Sequence, residues 1–166
     1  MRDTHPLSDP LGFARGGEGA ITGTVVCAAA IAASAGVVHT TGQLVLTILG
    51  TVLVYWIAHV HAITIGSAMN RKHHPLAAFR AAFVEALPIV GASVVPLVVL
   101  LVMRLFGASL RTGGWAALYA TIVLLAVYSY QAGARGGLAT RGRLASALVG
   151  ALVGVLVVAL KLLLQH

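Results

Sequence analysis

Acidic residues are nearly absent: Asp3, Asp9, Glu18 and Glu85 are the only four, against eleven lysines and arginines. A cation-collecting acidic surface cannot be built from so few. Cysteine is scarcer still, because Cys27 stands alone in an apolar run. That rules out an intrachain disulfide or a cysteine-based metal knuckle and leaves Cys27 the role of a small buried hydrophobe. Charge of either sign is thin as well. With 9% charged and 59% hydrophobic residues and a mean hydropathy of +0.97, the chain lies far outside the soluble range. It reads as an all-α integral membrane protein. Motifs for catalysis are missing too: there is no HExxH, no Walker loop and no Ser-His-Asp set, and Gly16-Gly17 is too slight to cradle a phosphate. No enzyme and no permanently bound cofactor is expected. The net charge of +7 does not point to nucleic acid, since the basic residues sit in short segments between apolar runs, where they act as topology signals and anionic-lipid contacts.

What is present is a series of apolar runs. Residues 1–19, with Pro6, Pro10, Gly12, Gly16 and Gly17, form an irregular cytoplasmic tail. Residues 20–166 form the transmembrane domain, with spans predicted at about 20–38, 43–66, 83–106, 115–134 and 144–164. The first span is rich in Ala, Gly and Ser and prefers protein neighbours to lipid. Its alternative reading is a cleaved signal peptide, with Ala33-Ser34-Ala35 as the cleavage-like triplet. Residues 67–80 read as a basic connector in which Pro75 starts the next helical piece. Pro88 and Pro96 fall inside the third span, and Trp115 anchors the start of the fourth at the interface. Along the fifth, Gly142, Ser146, Gly150 and Gly154 recur every four residues as a small-residue ridge for helix packing. Five spans put the termini on opposite faces. Eight of the basic residues fall on the N-terminal side, while Arg104, Arg111 and Lys161 fall on the other, with their stems free to snorkel outward. The positive-inside rule then places the N-terminus in the cytoplasm and the C-terminus outside, in the cell membrane.

Ionisable groups inside such spans usually have a job. Thr47, Thr51, Tyr55 and His59 stand at i, i+4, i+8 and i+12 and so form one polar ridge on the second helix, while His61 points elsewhere. Glu18, His59, His61, Glu85, Gln131 and Arg135 all fall toward the cytoplasmic ends of their spans, and Thr22 is a polar neighbour in the first. A carboxylate at one helix start and an imidazole at a neighbouring helix end can share a proton or hold a divalent cation. The plainer alternatives stand beside this. Glu18 and Glu85 also suit helix N-termini for electrostatic reasons alone, and His59 or His61 can be packing residues bonded within the bundle. The spacing of His59 and His61 does not bring both rings to one ion on a regular helix. His73-His74 reads as a solvated pair in the basic connector.

These features resemble the vacuolar iron transporter family. Glu18-Gly19, followed by Ile21 and Thr22, looks like the Asp-Gly start of the family's first span. Pro75-Leu76-Ala77-Ala78 leading into Ala86-Leu87-Pro88-Ile89-Val90-Gly91-Ala92 and Pro96 is similar to its stretch into span three, and Arg141 and Arg143 precede a Gly-rich last span. Where family members carry a methionine and a Gly-Glu pair in span two, this chain has Tyr55-Trp56-Ile57-Ala58-His59-Val60-His61, and glutamate-rich cytoplasmic helices are absent. The resemblance implies a homodimer in the lipid bilayer, an ion path near spans one and two, and exchange of a divalent cation of the iron or manganese class against protons. Glu18 carries over as the acceptor, and His59 by position. The expectation is therefore a small transporter or channel-like protein with a path lined by Glu18, Tyr55, His59 and Glu85. The alternative is a non-transporting structural or accessory subunit that assembles through its small-residue helix faces.

Overall fold

A computed structural model describes residues 17–34, 37–70 and 75–164. Among these the chain forms five helices and no strand: α1 (Glu18–Ser34), α2 (Thr41–Asn70), α3 (Pro75–Leu105), α4 (Leu110–Arg135) and α5 (Thr140–Leu164). Four stretches are long and apolar enough to cross a membrane: Thr41–Gly66, Phe79–Leu105, Leu110–Arg135 and Thr140–Leu163. This is the pattern of a multi-pass membrane protein. Its outer surface agrees, since large apolar side chains such as Leu46, Val54, Leu156 and Leu163 stand out from the bundle rather than into it.

Local chemistry fixes the helix ends. Thr40 and Gln43 form a capping box: the Gln43 amide donates to Thr40 Oγ1 (3.2 Å) and the Thr40 amide to Gln43 Oε1 (3.3 Å). The helix therefore starts at Thr41, two residues before the span expected from hydropathy. Pro75 opens α3, where its missing N–H costs nothing. Pro75 thus starts a helical piece as expected, and that piece continues without a break into the span expected from Phe83, so most of the connector is helical. The helix then runs unbroken through Pro88 and Pro96. Ser109 caps α4 by accepting from the Thr112 amide (3.1 Å), so Gly113 and Gly114, expected in a loop, lie in the helix. Two glycines reverse the chain in the left-handed region, Gly107 (φ 81°) and Gly137 (φ 74°). In each case the next amide reaches back five residues, from Ala108 to Met103 and from Leu138 to Gly133, and ties off the helix end.

The helix α1 is the hub. It packs against all four others, while α2 packs on α1 and α3, and α5 on α4 and α1. At 17 residues it is only about 25 Å long. It needs little apolar bulk because Ala20, Gly23, Thr24, Cys27, Ala28 and Ile31 all face protein. Its glycines set how close α3 can come: a Cβ at Gly23 would lie 2.7 Å from Ile89 Cα. The glycines of α5 do the same for α4, where a Cβ at Gly150 would meet the Leu125 carbonyl oxygen at 2.5 Å and one at Gly154 would meet Ile122 Cα at 3.1 Å. Ser146, on the same ridge, donates to the Gly142 carbonyl (3.0 Å) and lies beside Gly133. The less buried stripe of α1 is Thr22, Val26, Ala29 and Ala33, of which Ala29 and Ala33 are exposed.

Candidate functional site

The second helix carries its core contacts on Leu44, Ile48, Val52 and Val60. With 100° per residue, the Thr47-Thr51-Tyr55-His59 ridge is rotated about 60–100° from that stripe and so falls at the border between core and exterior. Thr47 and Thr51 are exposed, and Tyr55 and His59 half-buried. The threonine hydroxyls donate to their own helix, Thr47 to the Gln43 carbonyl (2.9 Å) and Thr51 to the Thr47 carbonyl (2.8 Å), which satisfies their protons and leaves oxygen lone pairs facing out. One turn on, the Tyr55 and His59 rings stack, with centroids 6.0 Å apart and planes at 21°. Thr51 and Tyr55, with Gly50, Val54 and Ala58, line an open cleft of about 570 Å³ against Val26 of α1.

His61 belongs to the other flank. With Trp56, Ile57, Val60 and Thr64 of α2 and Phe79 and Phe83 of α3, it lines a smaller apolar cavity of about 260 Å³. Trp56 meets Phe83 edge-on, at 4.8 Å between centroids and 78°. The two histidines therefore stand on different flanks: His59 stacks on Tyr55, which lines the α1 cleft, while His61 lines the cavity against α3. They do not form one site.

Neither Glu18 nor Glu85 lines either cavity. Glu18 is the first residue of α1 and exposed, and its backbone carbonyl accepts from the Thr22 hydroxyl (2.8 Å). Glu85 is exposed on α3. Among the described residues neither carboxylate makes an ion pair, and no hydrogen bond joins Glu18 to His59. Nor do any three His, Cys, Asp or Glu side chains among them come together as a metal-binding group. On α4, Gln131 is half-buried with its Oε1 enclosed and without a hydrogen-bond partner, while Arg135 ends the helix, exposed. His73 and His74 lie outside the described residues.

One residue of interest was not read as buried from the sequence. Lys161 is 5% exposed overall, its stem packed in the bundle and its ammonium 4.5 Å from the centre of the Trp115 ring. The signal was available, since Trp115 and Lys161 are equidistant from the Gly136–Ala139 turn that joins the antiparallel α4 and α5. Arg104, by contrast, is exposed and bridges two turns, donating from Nε to Thr41 Oγ1 (2.9 Å) and from a terminal nitrogen to the Ala108 carbonyl (2.5 Å).

No protein-family model, curated protein or solved structure matches the chain.

Proposed function

We propose that this is a small five-span transport protein of the cell membrane, N-terminus inside. It works as a homodimer that moves protons or a divalent cation of the iron or manganese class along the α1–α2 side of the bundle. One observation carries the reading: a polar ridge ending in a half-buried histidine borders an open cleft on a helix otherwise apolar enough to span the bilayer. Hydroxyl and imidazole groups left against hydrocarbon are costly, so a membrane protein retains such a ridge where it meets water or another polar surface. A second copy laid over the cleft and the less buried stripe of α1 encloses the ridge between subunits. In this reading His59 is the group that takes and passes on the ion, and Glu18 at the mouth of α1 is the acceptor. Thr47, Thr51 and Tyr55 offer oxygens along the way. The likeness to vacuolar iron transporters rests on the short motifs alone, and no catalytic role is assigned.

The accessory-subunit reading is favoured by a different observation, the lack of any three-ligand group among the described residues. Liposomes loaded with a pH-sensitive or a metal-sensitive dye separate the two. Transport predicts flux in the parent that falls in Glu18→Gln and His59→Ala. No flux in any form, with a fixed partner protein copurifying, sinks it.

A further inference from the structure

At the end of the bundle opposite Glu18, positive charge collects with no carboxylate beside it among the described residues. Arg111 lies in the first turn of α4, the positive end of the helix dipole, where a cation is disfavoured. Trp115, one turn on and on the same face, carries the Lys161 ammonium over its ring. Arg111, one turn before Trp115, and Lys161, seated on the Trp115 ring, thus stand at the same end of the α4–α5 pair. The last carbonyls of α5 offset part of the Lys161 charge, yet this side chain is nine-tenths buried and makes no hydrogen bond among the described residues. The two carboxylates among those residues are remote: about 28 Å of helix separates Glu85 from Arg104, and about 24 Å separates Glu18 from the far end of α1. The first turn of α4 adds donors. Ser109 takes up the amides of Thr112 and Gly113, which leaves those of Leu110 and Arg111 without a helical acceptor.

Two cations and two free amides around an interfacial tryptophan make a receptor for a phosphate at headgroup depth. We propose that Arg111, Lys161 and the first turn of α4 bind the phosphate of an anionic phospholipid, with Trp115 beside it. This site is separate from the α2 ridge and does not depend on transport.

The chain has two tryptophans, so Trp56→Phe leaves Trp115 as the only reporter. That protein, in vesicles of phosphatidylcholine, is titrated with brominated phosphatidylglycerol or brominated phosphatidylcholine, and quenching of Trp115 fluorescence is read. The site predicts that the anionic lipid quenches at a mole fraction lower by about fivefold for each basic residue engaged. The preference should fall about fivefold in Arg111→Gln and again when Lys161→Met is added. Arg111 is exposed, so the first variant tests the site even if the second fails to fold. Equal quenching by the two lipids, or a preference untouched by Arg111→Gln, overturns the proposal. A third arm adds inorganic phosphate to protein in micelles: if phosphate alone shifts Trp115 emission and abolishes the lipid preference, the site serves free anions and the lipid assignment fails.

Discussion

Replacing Gly23 with alanine tests the packing on which the whole bundle turns. In a helix the exchange alone is favourable by about 1 kcal/mol, because alanine loses less backbone entropy than glycine. At Gly23, however, the new methyl would lie 2.7 Å from Ile89 Cα and 2.9 Å from the Ile89 carbonyl carbon. Ordinary contact between carbons is about 3.5–4.0 Å, so α1 and α3 must part by roughly 1 Å. The atoms in the way are backbone and cannot rotate aside. Overpacking of this kind costs about 1–3 kcal/mol, which exceeds the propensity gain. The hub position of α1 adds to the loss, since a shift against α3 also loosens its contacts with α2, α4 and α5. The control is Gly50→Ala on α2, where nothing lies within 4 Å of the new methyl and only the favourable term remains. Thermal loss of helical circular dichroism in one detergent should therefore rank Gly50→Ala at or above the parent and Gly23→Ala below it, with a gap of about 1–3 kcal/mol between them. A Gly23→Ala protein as stable as Gly50→Ala would refute the close approach of α1 to α3.

Other expectations follow from particular contacts. Gly150→Ala should destabilise by about 1–3 kcal/mol in the same assay, since its methyl would press on the Leu125 carbonyl oxygen at 2.5 Å. Arg104→Ala removes the bond to Thr41 Oγ1 and the one to the Ala108 carbonyl, so the α1–α2 and α3–α4 turns lose their tie; the exposed setting limits the cost to about 1 kcal/mol, and proteolysis at these turns should quicken. Gln131→Leu frees the bundle of a buried oxygen that accepts no hydrogen bond and should be neutral or stabilising, whereas a loss above about 1 kcal/mol would mean that the amide has a partner after all.

Much of this architecture was legible because hydropathy and charge are coarse signals that survive any packing arrangement. Long apolar runs announced the spanning helices, and the alternation of basic segments with those runs marked where they end. Boundaries were less legible, because they depend on single hydrogen bonds. Thr40 and Gln43 spell a capping box that hydropathy does not register, whereas Pro75 marked its helix start in the sequence and only the unbroken run from it into the span from Phe83 was not legible. Ser109 likewise pulls Gly113 and Gly114 into α4. The central place of α1 was foreshadowed by its small residues, but its partners were not, since a stripe of Ala and Gly says that something approaches closely without saying what. Divergence of His59 and His61 followed from helical spacing alone. That His61 lines a cavity against α3 while Thr51 and Tyr55 line a cleft against α1 required the third dimension.

The most direct test of a transport path on the α1–α2 flank compares the two histidines in one vesicle preparation. Proton and divalent-cation flux are measured for the parent, His59→Ala and His61→Ala, each checked for equal incorporation. The account predicts that His59→Ala abolishes most of the flux while His61→Ala, altered only in the cavity against α3, retains it. Flux lost with His61→Ala and kept with His59→Ala would place the path on the other side of the helix and contradict the account.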